Sequence, residues 1–171
     1  MTLRWTLRDW HSGISIVSNE DDGIWKPHVT VAAICEHNDR FLLVREEVNG
    51  QIVLNQPAGH LDPGESLQQA VIRETREETA YDFTPQNLTG IYRFVADQSS
   101  SQSFLRFAFS GTVGQRHDHP LDEGILSAEW LQLDEIRQNQ HLLRTPMVLQ
   151  CILDYLHKPA YPLQVFSSDF L

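Results

Sequence analysis

Between Ser66 and Thr79 the sequence "SLQQAVIRETREET" has apolar residues at the period of a helix and charges that work against that helix. At about 100° per residue, Leu67, Ala70 and Val71 share one stripe, and Glu74, Glu77 and Glu78 continue it. Like charges at i,i+3 or i,i+4 destabilise a helix by about 0.2–0.5 kcal/mol per pair. Glu74 makes two such pairs, with Glu77 and with Glu78. One reading is a solvated face with Arg73 and Arg76 as partial partners. The other follows from position, because the acidic stripe prolongs the face that Leu67 and Val71 bury. Carboxylates beside a core are tolerated when paired or when a hard cation neutralises them, and Mg²⁺ suits oxygen ligands. On the stripe alone the two readings stand level.

The rest of the chain limits what such a helix belongs to. With 171 residues it is long enough for one domain with a real core and short for two. A hydrophobic share of 41% and a charged share of 21% are ordinary for a globular protein. The net charge of −10 argues against general affinity for nucleic acid or an anionic membrane. No segment approaches the roughly 20 apolar residues of a membrane-spanning helix. The N-terminus interrupts its apolar residues with Arg4, Arg8 and Asp9, unlike a secretory signal. Cys35 and Cys151 stand far apart in no metal or redox spacing, so a reduced, cytoplasmic protein is expected.

Residues 1–25 alternate as a hairpin through Leu3, Trp5, Leu7, Ile14 and Ile16. That much apolar surface is expected to dock on its own domain or on a second copy, so a monomer and a homodimer both remain open. A main domain is expected over 26–160 and a C-terminal tail over 161–171. "HVTVAAIC" and "RFLLVREEV" read as strands joined by "EHNDR", and "NGQ" turns the chain into "IVL". A Pro/Gly-rich loop, "NQPAGHLDPGE", precedes the acidic helix, whose start is fixed by a capping box of Ser66 and Gln69. Pro85 bounds the region after the helix. Further strands are expected at 88–96, 103–113 and 125–131. A short helix is expected near 133–139, and a longer one over 145–157 with Thr145 as cap and Pro146 at its first position. Mixed strands and helices give an α/β (α+β) sandwich.

Gly59, Glu65, Arg73, Glu74, Glu77 and Glu78 fit the pattern G-x5-E-x7-R-E-U-x-E-E-x-G-U of the Nudix family, where U is a bulky aliphatic residue. The chain resembles that family, with Thr75 and Tyr81 at the U positions and Ala80 in place of glycine. Alanine accepts a left-handed helix end poorly, so the usual turn is in question there. The resemblance implies a Nudix fold, a mixed β-sheet sandwiched between helices, here with the extra N-terminal β-hairpin. It implies Mg²⁺ (or Mn²⁺) held by Glu74, Glu77 and Glu78, with the Gly59 carbonyl joining them. It implies that Arg73 orients the carboxylates, with Glu65 and Glu74 as its partners. Glu65, Arg73 and Glu77 thereby count as catalytic groups. The implied reaction is attack of water on phosphorus within a small phosphate substrate. The segments "KPHVTVAA", "LNQPAGHLD", "FLRFAFSG" and "LRTPMV" further resemble a bacterial phosphatase branch of the family. That branch implies release of phosphate from nucleoside tri- and diphosphates or a thiamine pyrimidine precursor pyrophosphate. Hydrolysis of ADP-ribose or dinucleoside polyphosphates, and a non-catalytic ligand sensor, are the alternatives.

Many family members add a carboxylate from outside the box. Asp122 and Glu123 are the candidates, with Glu123 slightly preferred and a solvated turn as the competing reading. Arg106 alternates with Leu105 and Phe107 on a strand, which suits either a grip on the terminal phosphate or a surface ion pair. Arg93 and Phe94 suit phosphate holding and base stacking, although core packing is the better expectation for Phe94. Gln56 either contacts substrate or ties its loop. His117 and His119 lack a third ligand and read as a solvated loop.

Overall fold

The strand His28–His37 (β1) is the spine of the sheet, and the computed structural model describes residues 25–95 and 102–166 around it. The N-terminal hairpin expected over 1–25 lies, apart from Trp25, outside the described residues. β1 runs parallel to Ser103–Arg116 (β6), with Thr30 opposite Arg106 and Ala32 opposite Ala108. Its other edge takes the short antiparallel strand Ala58–His60 (β4), where Thr30 meets His60 and Val31 meets Gly59. Arg40–Val48 (β2) turns back from β1 and pairs with Gln51–Asn55 (β3) and Ile125–Gln132 (β7). Tyr81–Val95 (β5) lies antiparallel to β6 and carries the two-residue strand Tyr161–Pro162 (β8). One parallel pairing among antiparallel ones makes the sheet mixed.

Two hairpins follow directly from local chemistry. Asn38 and Asp39 between β1 and β2, and Asn49 and Gly50 between β2 and β3, all have positive φ. Two-residue loops of this kind match the twist of the flanking strands, and Asn, Asp and Gly tolerate the left-handed region.

The period of two along β1 feeds two cores. Val31, Ala33 and Cys35 pack with Ala70 and Val71 of the helix Leu67–Thr79 (α1) and with Phe83, Leu88 and Phe109. Ile34 joins Leu43, Leu54 and Ala108 against Val148, Cys151 and Ile152 of the helix Met147–His157 (α3). The sheet is therefore sandwiched between α1 and α3, as the pattern implied. Cys35 and Cys151 belong to opposite faces, and both are free and buried.

Several expectations need adjustment. The loop before α1 contains β4, a strand too short to have a readable period; pairing to β1 creates it. Pro85 lies within β5 and does not bound it, at a point where the register with β6 shifts. α3 starts at Met147, with Pro146 one position earlier than expected and no side-chain cap from Thr145. The short helix is Leu133–Gln138 (α2). The segment set apart as a tail is partly docked, through β8 and through Leu163 and Phe166 packed on the α1-side core.

The ends of α1 matter for the site, because they set the angular position of its glutamates. At the start, Ser66 accepts from the Gln69 N–H while the Gln69 side chain accepts from the Ser66 N–H, closing the expected box. At the end, Ala80 adopts φ 62° and ψ 9° and donates its N–H to the Arg76 carbonyl. The left-handed turn thus survives without glycine. Its strain, about 1 kcal/mol, is offset in part by burial of the alanine methyl, worth about 0.8 kcal/mol. Ser66→Ala should lower stability by about 1 kcal/mol and the melting temperature by about 2–4 °C. Thermal melts followed by circular dichroism check this; an unchanged midpoint would show that the box contributes nothing.

Candidate active site

On α1 the apolar stripe becomes acidic where the helix passes β4. Ala70 and Val71 are buried, and so are Glu74 and Glu78; Glu77 is partly exposed. Burial of carboxylates demands compensation. Arg73 supplies part of it. Its guanidinium grips Glu65 through two bonds of 3.1 and 2.7 Å, reaches Glu74 at 2.8 Å and Glu77 at 3.0 Å, and donates to the His60 carbonyl at 3.0 Å. Glu65 also accepts from the Asp62 N–H. Hydrogen bonds from Arg73 hold the Glu65 carboxyl below its ordinary range, and Glu65 in turn drives the arginine upward. Glu65 and Arg73 are thus a clamp that fixes loop to helix. Glu74 itself lies against Gly59, where a Cβ would overlap its carboxylate. That contact gives glycine a physical reason at this position.

Glu78 is the least compensated. It accepts one bond, 2.9 Å from the Ala58 N–H. Burial, followed by the charges of Glu74 and Glu46, pushes its carboxyl up to about 8. Burial also raises Glu74, against the pull of Arg73. Among the described residues no three His, Cys, Asp or Glu side chains form a ready-made metal set. The three glutamates are turned instead to different donors: Glu74 and Glu77 to Arg73, Glu78 to Ala58. The donor chemistry nevertheless fits a hard divalent cation, since two buried, mutually repelling carboxylates stand beside the Gly59 backbone with few competing donors.

Across the β4 edge from this face, on the α3 side of the sheet, opens a cavity of about 320 Å³. Thr30, Arg106, Phe94 and Phe104 line it from β1, β6 and β5, Asn55 from the end of β3, Gly59 from β4, and Arg144, Thr145 and Met147 from the approach to α3 and its first residue. Arg106 is buried, as its alternation with Leu105 and Phe107 allowed, and donates to Gln56 at 3.3 Å. Burial pushes its guanidinium down, and among the described residues it forms no ion pair with a carboxylate. Gln56 is fully engaged in the framework, donating to the Val148 carbonyl at 2.9 Å. It ties its loop to α3 and positions Arg106.

Arg93 and Phe94 do not share a site. Neighbours on one strand face opposite sides, so Phe94 lines the cavity while Arg93 is exposed and lies over the Trp25 ring at 5.6 Å. Of the outer carboxylates, Asp122 is tied to the box: its N–H donates to the Glu77 carbonyl at 3.1 Å, and its charge helps raise Glu74. Both side chains are exposed, and among the described residues Glu123 has no such tie to the box. His117 pairs with Asp82 at 2.8 Å, away from the cavity. Sequence reasoning missed Glu46 and Arg144, which form a 2.7 Å ion pair between β2 and the start of α3. "RFLLVREEV" alternates through Glu46 and Val48, but nothing local signals that Glu46 is buried; a bulge between Arg45 and Glu46 helps turn it inward.

The Glu78 shift has a testable sign. Without a divalent cation, the folded protein keeps a proton that an unfolded carboxyl loses near 4.5. Stability of the chelator-treated protein should therefore be fully present below that value and fall as pH rises through about 8. Glu78→Gln should flatten this dependence, as should addition of a divalent cation. Urea unfolding in EDTA across this range checks it, and equal slopes for wild type and variant would refute the assignment.

The NUDIX domain profile matches residues 26–150. "Phosphatase NudJ" of Escherichia coli K12 is 37% identical over 146 residues, which cover 85% of this chain and 94% of that protein. Among solved structures, a NUDIX hydrolase from Nitrosomonas europaea is 51% identical, with a TM-score of 0.80 over 83% of this chain and 97% of that one. An ADP-ribose pyrophosphatase from Streptococcus suis, at 18% identity and a TM-score of 0.60 over 80% of this chain and 96% of its own, shares the fold. The chain belongs to the Nudix family and is a hydrolase of phosphoric anhydrides.

Proposed function

We propose that this enzyme is a Mg²⁺-dependent phosphohydrolase that releases phosphate from nucleoside tri- and diphosphates or from a related organic pyrophosphate, such as a thiamine pyrimidine precursor. One observation carries the reading. Two under-compensated buried carboxylates, Glu74 and Glu78, meet Gly59 and Ala58 of β4, and those two residues also line the edge of a cavity that holds two arginines. The complete set of box carboxylates speaks against a non-catalytic sensor. Similarity to Phosphatase NudJ supports the substrate range.

Glu74, Glu78 and the Gly59 carbonyl would hold the cation, with Glu77 beside them. When bound, Mg²⁺ would neutralise phosphate charge and lower the pKa of a coordinated water. The protein's own groups do the rest. Glu65 and Arg73 lock the carboxylate positions, so the site is organised before substrate arrives. Arg144 is partly exposed at the cavity wall and balanced by Glu46, which leaves it placed to meet substrate phosphate. Asp122, whose backbone N–H is tied to the Glu77 carbonyl, is the carboxylate assigned here to accept a proton from the attacking water, in preference to Glu123.

Incubation with Mg²⁺ and GDP, GTP, ADP-ribose, diadenosine tetraphosphate or an aminopyrimidine pyrophosphate, with products separated by chromatography, tests the reaction. Inorganic phosphate from GDP, GTP and the aminopyrimidine pyrophosphate is expected. Preferential cleavage of ADP-ribose or the dinucleotide would replace this substrate range with the alternative. Glu74→Gln and Glu78→Gln should each reduce turnover by orders of magnitude, whereas Asp122→Asn should cost about 10²–10⁴-fold and Glu123→Gln little. A larger loss from Glu123→Gln than from Asp122→Asn would reverse the assignment of the base.

A further inference from the structure

Buried polar side-chain atoms without a partner are rare in folded proteins, and each calls for a cause. Among the described residues there are six, and one of them is a carboxylate oxygen, Glu46 Oε1. Four of the others belong to Thr30, Asn55, Arg106 and Thr145 along the cavity wall, and the last to Thr89 in the groove beside β8. Glu46 does not line the cavity, yet its charge reaches Glu78 on the acidic face and its partner Arg144 stands at the cavity wall.

The unpartnered oxygen follows from the way Arg144 holds this carboxylate. Arg144 donates Nη1 to Glu46 Oε2 at 2.7 Å, and among the described residues its guanidinium makes no other hydrogen bond. Two other arginines of the fold take a carboxylate with both prongs. Arg45, the neighbour of Glu46, holds Glu129 at 2.7 and 3.0 Å, and Arg73 holds Glu65 at 3.1 and 2.7 Å. The two-pronged grip is the stronger one and would satisfy both oxygens of Glu46. Its absence leaves part of the Arg144 fork uncommitted. The side chain is nevertheless held at both ends. Its backbone N–H donates to the Leu54 carbonyl at 2.8 Å, and Leu143 bridges to Leu54, so β3 fixes the base of the side chain while Glu46 on β2 fixes its head. Exposure is unequal, 44% for the Arg144 side chain and 8% for that of Glu46. Buried ion pairs seldom stabilise more than well-packed apolar residues would, and here the buried member is the under-bonded one. Stability does not explain the arrangement; the aim of the arginine does.

We infer that Glu46 is a positioning residue, which holds the Arg144 guanidinium by one nitrogen so that the rest of its fork is presented to the diphosphate of the substrate. The inference deepens the proposed function and rests on it for the identity of the phosphate ligand. The guanidinium is a rigid planar fork, so one fixed prong limits where the others point. Without Glu46, each binding event would have to immobilise Arg144 afresh, which weakens affinity about 2- to 10-fold for one long side chain. Simple electrostatics predicts the opposite sign, because removing a negative charge near a bound anion should tighten its binding. The direction of the change therefore separates positioning from mere proximity.

The test is binding of methylenediphosphonate, a ring-free diphosphate analogue that resists hydrolysis, to the full chain with Mg²⁺, read by titration calorimetry. Arg144→Ala should weaken binding about tenfold or more. Glu46→Leu should weaken it about 2- to 10-fold. The double variant should bind no more weakly than Arg144→Ala alone, since Glu46 acts through the arginine. Glu129→Gln, which breaks the neighbouring two-pronged pair, should leave affinity unchanged. The melting temperature of Glu46→Leu should equal or exceed that of wild type, because the charge left behind is half exposed and the unpartnered oxygen is gone. Glu46→Gln, which keeps one acceptor for Nη1, should fall between wild type and Glu46→Leu; if the leucine variant does not fold, the direction of its change decides. Unchanged or tighter binding in a folded Glu46 variant, additive losses in the double variant, or no binding by wild type would overturn the assignment. A lower melting temperature with unchanged binding would make Glu46 a structural brace and overturn it equally. The expected losses in a protein that hydrolyses no pyrophosphate with Mg²⁺ would instead overturn the proposed function and leave the positioning role standing.

Discussion

The contact between Gly59 and the Glu74 carboxylate sets the geometry on which the rest of this site depends. It requires α1 to pass close enough to β4 that no side chain fits between them. Glu78, one turn later, then meets the Ala58 N–H, and Arg73 reaches Glu65, Glu74 and Glu77 at once. The carboxylates lose water because of this packing. Desolvation makes their charge expensive and raises Glu74 and Glu78, and it is also what gives a hard cation a reason to bind. The same residues would be unremarkable on a helix facing solvent.

The other half of the site comes from a different direction. β1 divides its side chains between two cores, so the α1 face and the cavity lie on opposite sides of the sheet, meeting at the β4 edge. Arg106 is committed to the α3 side by the alternation of β6 and braced there by Gln56. Gln56 links α3, the loop before α1 and Arg106 through two hydrogen bonds. Glu46 and Arg144 close the wall across a long sequence separation. The acidic face and the cavity are thus built from separate sets of side chains, joined by one short strand.

The acidic box was legible in the sequence because its meaning is local. Ser66, Gln69, Arg73 and the three glutamates lie within one helix and its cap, where the period of 3.6 and the i,i+4 rule apply directly. The turns at Asn38–Asp39 and Asn49–Gly50 were legible for the same reason, and alternation set Arg106 on the opposite side of its strand from Leu105 and Phe107 without deciding its burial. Where local rules gave way, tertiary pairing had intervened. Pro85 was read as a boundary, yet β6 accommodates it at a shift in register. Ala80 accepts a left-handed conformation because the surrounding core holds it there. Glu123 and Asp122 are adjacent acids in one turn, and only the bond to the Glu77 carbonyl distinguishes them.

By itself, the sequence determined the helix, its acidic stripe, the strand alternation and the family these imply. Each depends on residues a few positions apart, whose relative directions are fixed by backbone geometry. Tertiary structure alone decided that Glu46 is buried against Arg144, that Arg93 and Phe94 part company across the sheet, and that four unsatisfied polar residues line one cavity. Those residues come from β1, β3, β6 and the approach to α3. Burial and the pairing of polar atoms are properties of which distant strands become neighbours, and no periodicity within a strand records its neighbour.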